Sequence, residues 1–178
     1  GEGHDLYANA LQVLGLSLRR QYRLAESEQI YRMLIERHVS QLGPDHLIIG
    51  RAQNNFSGML RLKGDFTAAE QALREALRVY RLQKEPDALD IAITHHNLGM
   101  LNQEWGRLDE GLKYLDLALE MKAKAVGPRS PQVVSTLLGR TMVLREMGRL
   151  PDARATLAQA LSIAAERFDK NDRRHTQL

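Results

Sequence analysis

The chain repeats itself every 42 residues, and no other feature constrains its fold as strongly. With four windows written beneath one another, Leu14-Gly15, Phe56-Ser57, Leu98-Gly99 and Arg140-Thr141 share a column. Tyr22, Gly64, Gly106 and Gly148 share another, followed two residues later by Leu24, Phe66, Leu108 and Leu150. Ser27, Ala69, Gly111 and Ala153 come next, then Leu34-Ile35, Ala76-Leu77, Ala118-Leu119 and Ala160-Leu161. Pro44, Pro86 and Pro128 occupy a further column, which Lys170 ends. No insertion is needed. A fixed period of this size is the signature of stacked supersecondary units, each of which buries its apolar face only against its neighbours. It moves the question from what is catalysed to what is held.

Each window carries two amphipathic segments. Phe56, Met59, Leu60 and Leu62 form one apolar stripe at helical spacing; Phe66, Ala69, Leu73, Ala76, Leu77 and Tyr80 form the next. Gly64 suits a left-handed helix end, and Asp65 then caps the following helix. Gly106 and Gly148 repeat the arrangement, and Pro151 suits the first turn of a helix. Glu26, Asp65, Asp109, Glu110 and Asp152 gather where the helix dipole favours negative charge. The prolines break the chain between windows. The spacing predicts eight antiparallel helices at about 5–20, 24–41, 47–63, 66–83, 88–105, 108–125, 131–147 and 150–167, with no strands. The expected architecture is all-α: a right-handed α-solenoid of four helix-turn-helix repeats. A single array would fill 1–178, with repeats at about 5–45, 46–87, 88–129 and 130–169 and a polar tail at 170–178.

Composition agrees. Of 178 residues 43% are hydrophobic, enough for a sizeable core, while aromatics are only 5%. Abundant Leu and Ala favour helix-on-helix packing. The net charge of +3 is mild and its signs are interspersed, so nucleic acid, which wants a concentrated basic face, is not an expected partner. Without cysteine there is no disulfide or thiol chemistry. No apolar run approaches the roughly 18–20 residues of a membrane span, and Gly1-Glu2-Gly3-His4 is no signal peptide. A cytoplasmic location is expected, with no cofactor. That N-terminus aligns with Gly43-Pro44-Asp45-His46, so the chain reads as starting at a repeat boundary, as a piece of a longer chain would; so short a match also arises by chance.

Small residues recur where paired helices must approach. Gly15, Ser57, Gly99 and Thr141 lie on first helices; Ser27, Ala69, Gly111 and Ala153 lie on second helices. A large side chain in either column would push the helices apart.

Leu-Gly, then Gly-x-Leu/Phe, then Ala, then Ala-Leu resembles the tetratricopeptide repeat, whose usual period is about 34. The longer period and the connectors Gln41-Leu42-Gly43-Pro44-Asp45-His46 and Ala125-Val126-Gly127-Pro128 resemble its kinesin-light-chain type. So do Gln53-Asn54-Asn55-Phe56 and His95-His96-Asn97-Leu98-Gly99. Tyr22 departs from the turn glycine and Arg140 from the apolar residue, which marks the end repeats as atypical.

The resemblance implies a protein-binding scaffold whose first helices line a concave groove. Its groove columns fall on Asn9, Gln12, Val13, Leu16 and Arg19, then Arg51, Asn54, Asn55, Gly58 and Arg61. The third set is Ile93, His96, Asn97, Met100 and Gln103, and the fourth is Ser135, Leu138, Gly139, Met142 and Arg145. Asn54, Asn55 and Asn97 each offer a donor and an acceptor suited to an extended peptide backbone. Arg19, Arg51, Arg61 and Arg145 add positive charge that can fork onto carboxylates, so an acidic peptide is the favoured ligand. Met100 and Met142 suit an apolar ligand side chain. The lysines of the family's carboxylate clamp are absent, with Gln12 and Ile93 at such columns. His95-His96 makes a poor metal site, since adjacent helical residues point ~100° apart. No nucleophile motif or phosphate loop is present, so catalysis is not expected. Trp105 reads as packing. The rival readings are self-association through the array ends, where the second helix of the fourth repeat would present Leu157, Leu161, Ile163 and Ala164, and a regulatory segment of a larger protein.

Overall fold

The computed structural model describes the backbone of residues 2–175 and the side chains of residues 6–166. Among the described residues there are eight helices and no strand. They are α1 (Glu2–Arg20), α2 (Leu24–Leu42), α3 (Leu47–Lys63), α4 (Phe66–Arg81), α5 (Ala88–Glu104), α6 (Leu108–Val126), α7 (Pro131–Glu146) and α8 (Leu150–His175). The chain forms two compact units, Gly1–Asp87 and Ala88–Leu178. In the first, α1 packs on α2, α2 on α3 and α3 on α4. In the second, α5 packs on α6, α6 on α7 and α7 on α8, and α5 also touches α7.

The punctuation works as the residues dictate. Gly64 adopts φ 81°, its N–H reaches the Arg61 and Leu60 carbonyls, and Asp65 accepts a bond from the Ala68 N–H at 3.1 Å. Ser130 caps α7 through the Gln132 N–H, with Pro131 in the first turn. The two chain ends differ from expectation. α1 already starts at Glu2, and α8 runs on to His175; residues 176–178 of the expected tail lie outside the described residues. Both differences have one cause. The column that breaks the chain at Pro44, Pro86 and Pro128 holds Glu2 and Lys170 at its ends, and neither interrupts a helix.

Tyr22 shows what the turn column demands. It has φ 57°, in the left-handed region that Gly64, Gly106 and Gly148 occupy with φ 81°, 78° and 75°. A side chain there costs ~1 kcal/mol or more. Tyr22→Gly is therefore expected to stabilise the first unit by about 1 kcal/mol, offset in part by the freer unfolded chain. A urea titration reads this directly, and a lowered midpoint would show that the turn is not strained.

The small-residue columns meet as close approaches. In the first unit, the Ser27 hydroxyl donates to the Gly15 carbonyl at 2.8 Å, inside the α1–α2 contact. In the second, a methyl added at Gly99 would lie 2.5 Å from Leu115 Cγ and 3.1 Å from the Gly111 carbonyl oxygen. Thr141 is accommodated differently: its hydroxyl turns back to the Leu137 carbonyl of its own helix at 2.9 Å.

In each unit, one second helix also meets the first helix that follows it through one pair of columns. At α2–α3, the Arg32 guanidinium lies 5.5 Å from the Phe56 ring centre, and Tyr31 meets the same ring at 5.8 Å. At α6–α7, Arg140 donates to Asp116 at 2.7 Å and to Thr156. Arg140, which departs from the repeat pattern, is thus held by α6 and α8 together. A lysine is buried in the same region. Lys122 of α6 is 5% exposed and donates to the Thr136 hydroxyl of α7 at 2.9 Å. Burial pushes its ammonium below the usual lysine range.

Candidate protein-interaction site

The first unit holds Arg19 on α1 and Arg51, Asn54, Asn55 and Arg61 on α3. Ala8, Leu11 and Leu34 are packed together between α1 and α2, which fixes the face that these helices present. Beside that cluster lies a cavity of about 440 Å³ formed by α1, α2 and α3. Asn9, Gln12, Arg51 and Asn55 line it, all from first-helix columns. Its apolar wall is Ala8, Leu34, Ile48 and Ala52, with His38 of α2 beside them. Among the described lining residues there is an arginine and a histidine but no carboxylate. Such a mixture suits a ligand with an apolar part, amide groups and negative charge.

The remaining residues of this unit sit differently. Arg19 crosses Gly58: one guanidinium nitrogen lies 2.8 Å from where a methyl at Gly58 would be. Glycine in that groove column lets α1's arginine lie against α3. Asn54 and Arg61 are half-buried on α3 and do not line the cavity.

The second unit holds His96, Asn97, Met100 and Gln103 on α5 and Arg145 on α7. Two of these tie α5 to α7. Gln103 donates to Glu146 at 2.7 Å. Met100 covers Gly139, where an added methyl would lie 2.8 Å from its sulfur. His96 and Asn97 are half-buried, and Met142 and Arg145 are exposed. His95 is buried against Tyr114, the rings stacked 5.9 Å apart at 18°. Trp105 lies under the Arg107 guanidinium, 3.5 Å from its ring centre. Among the described residues no group of three or more His, Asp or Glu is placed to hold a metal ion, and no helix is long and apolar enough to cross a membrane.

Sequence reasoning confined to first helices missed His38 and Leu34. Their spacing could have found them. Ser27, Tyr31, Leu34 and His38 recur at helical intervals and are the buried face of α2. The last of that stripe lies on the inward side, next to the cavity.

The tetratricopeptide repeat family model matches residues 1–81 and 90–166. The chain belongs to the tetratricopeptide repeat family. A curated relative, the clustered mitochondria protein homolog of Coccidioides immitis (strain RS), is 24% identical over 165 residues. That alignment covers 93% of this chain and 13% of the fungal protein. Among solved structures, BtubC (BKLC) from P. vanneervenii superposes with a TM-score of 0.77 at 22% identity, covering 92% of this chain and 65% of that one. Nearly identical TPR-like repeats from Podosopora anserina, ascribed to a kinesin light chain, superpose with a TM-score of 0.74 at 14% identity. They cover 89% of this chain and 74% of theirs. The chain thus spans only part of these relatives. The fold is that of kinesin-light-chain-like tetratricopeptide repeats, a class that serves in general as a non-catalytic protein-interaction scaffold.

Proposed function

We propose that this chain is a non-catalytic binding module that holds a peptide or protein segment, preferably an acidic one, on the first-helix faces of its units. The observation that carries this reading is the cavity of the first unit. Asn9, Gln12, Arg51 and Asn55 come from two different first helices and converge on one space with an apolar wall. Amide side chains can satisfy the backbone groups of a bound peptide that would otherwise lose water without compensation. Arg51 supplies the charge for a carboxylate. Asn97 on α5 and Arg145 on α7 occupy the corresponding columns of the second unit. The fungal relative, in which the matched stretch is a small part, supports the reading of such repeats as the recognition segment of a larger protein.

Asn55→Ala together with Asn97→Ala is expected to weaken capture of the ligand about tenfold or more while helix content and melting temperature stay nearly unchanged. An affinity pull-down from native extract, comparing wild type with the double variant, makes the measurement. Partners retained equally by both would move recognition to another surface. A collapse in melting temperature would make these asparagines structural.

A further inference from the structure

Tyr31 of α2 is fully buried, yet its hydroxyl has no hydrogen-bond partner. A buried polar group left unpaired is costly, and native folds rarely keep one without a use. The outer end of its ring packs beside Gly15 of α1, where an added methyl would lie 3.4 Å from Cε2 and 3.5 Å from Cζ. Arg19 stands one turn further along α1, on the same face. Burial pushes the phenol above the usual tyrosine range, and the charge of Arg19 opposes that rise. Arg19 itself lies across the bare backbone of Gly58 on α3, one guanidinium nitrogen 2.8 Å from where a methyl would be. Among the described residues no carboxylate pairs with it. An unpaired cation and an unpaired hydroxyl thus sit side by side at the α1–α3 face.

The second unit shows what completes such a donor. Two periods on from Arg19 stands Gln103, which donates to Glu146 of α7 at 2.7 Å. The first unit's counterpart of Glu146 is Leu62 of α3, 43% exposed. The first unit therefore has the stronger donor and lacks the acceptor. Its other two members also differ from the second unit, where Leu115 stands for Tyr31 and Met142 for Gly58. We infer that Arg19 and the Tyr31 hydroxyl together hold a carboxylate, that of an acidic side chain when a peptide is bound. A carboxylate has acceptor sites enough for both donors, and its bonds to them are charge-assisted. Arg19 is half-buried on a long stem, so its head can move off Gly58 and let the acceptor reach the hydroxyl while the stem stays packed. This inference rests on the peptide-binding reading above and adds to it a fixed anchor that includes a second-helix residue.

The test puts two probes to the full chain: tetraglutamate with blocked ends, followed by titration calorimetry, and sodium acetate, followed by thermal melts against sodium chloride at equal ionic strength. Tyr31→Phe should melt at or above wild type, because it removes the unpaired hydroxyl, yet bind tetraglutamate about tenfold more weakly. Arg19→Gln should lose about tenfold or more. Arg74→Gln, the same change of charge at an exposed α4 residue paired with Glu70, should lose less than about twofold. Tetraglutamate binding that survives Tyr31→Phe unchanged overturns the inference and leaves the peptide reading standing, as does an equal loss in Arg19→Gln and Arg74→Gln. A Tyr31→Phe chain that melts well below wild type also overturns it, since the hydroxyl would then serve the fold. If wild type ignores tetraglutamate while acetate raises its melting temperature, and Tyr31→Phe abolishes the rise, the pair holds a free small carboxylate and the peptide reading falls. A response to neither probe overturns both. If Arg19→Gln melts low, Gly58→Ala, which displaces the guanidinium, makes the same comparison, and unchanged binding there overturns the inference.

Discussion

Gly99→Leu is expected to cost the second unit about 3 kcal/mol, the upper part of the usual range for overpacking a close helix contact. The space is absent on both sides. A single methyl at Gly99 already falls 2.5 Å from Leu115 Cγ and 3.1 Å from the Gly111 carbonyl oxygen. One obstacle is a backbone atom, which cannot rotate away, and Leu115 is itself fully buried. Relief therefore requires α5 and α6 to separate, which opens voids along the rest of their contact. Trp105 is the chain's single tryptophan and lies in this unit, so its fluorescence during a urea titration reports the loss locally. Arg61→Ala, at a half-buried position on α3, should stay within about 0.5 kcal/mol. Equal stability of the two variants would undo the column assignment.

Lys122→Met works in the opposite direction. It is expected to stabilise the second unit by ~2 kcal/mol near neutral pH, because this buried cation has no carboxylate partner among the described residues and retains most of its desolvation penalty. Its hydrogen bond goes to a neutral hydroxyl, that of Thr136. The pH dependence follows from the direction of the shift. The folded-state value is lowered by burial, so between it and the ordinary lysine value the unfolded chain binds more protons than the folded one. Stability contributed at this site therefore rises as pH climbs through that window and is constant below it, where both states hold the proton. Lys122→Met should flatten this alkaline slope in urea titrations across pH. Thr136→Val alone should destabilise, since it removes the amine's hydroxyl partner; combined with Lys122→Met it should recover most of the loss. A wild type with no alkaline rise in stability would show that the ammonium is better solvated than its burial implies.

The helix pairs were legible because their punctuation is local. Gly64, Asp65 and the connector prolines act within a turn of their own position, so spacing alone placed the boundaries. The small-residue columns were legible for a related reason: only close approach explains Gly15 with Ser27 and Gly99 with Gly111 recurring at one offset. What escaped depends on partners distant in sequence. Arg140 reads as a departure until Asp116 and Thr156 are seen beside it. Lys122 carries no local sign of burial, because a lysine on a helix is ordinarily solvated. The candidate site was legible as a set of columns but not as a space. Arg51 and Asn55 line a cavity with Asn9 and Gln12, while Gln103 and Met100, from equally plausible columns, link α5 to α7.

The varied chemistry of the helix junctions has a consequence for how such a chain can be rearranged. Its repeats share a backbone plan, yet they are not interchangeable modules. Splicing α7 directly after α2 would bring Arg140 against Arg32, two cations with neither ring nor carboxylate between them. Splicing α3 after α6 would set Phe56 against Asp116 and strip the carboxylate of its guanidinium. The period is common to all the repeats, but their order is written into the side chains that join α2 to α3 and α6 to α7, so recombination at either of these seams is penalised.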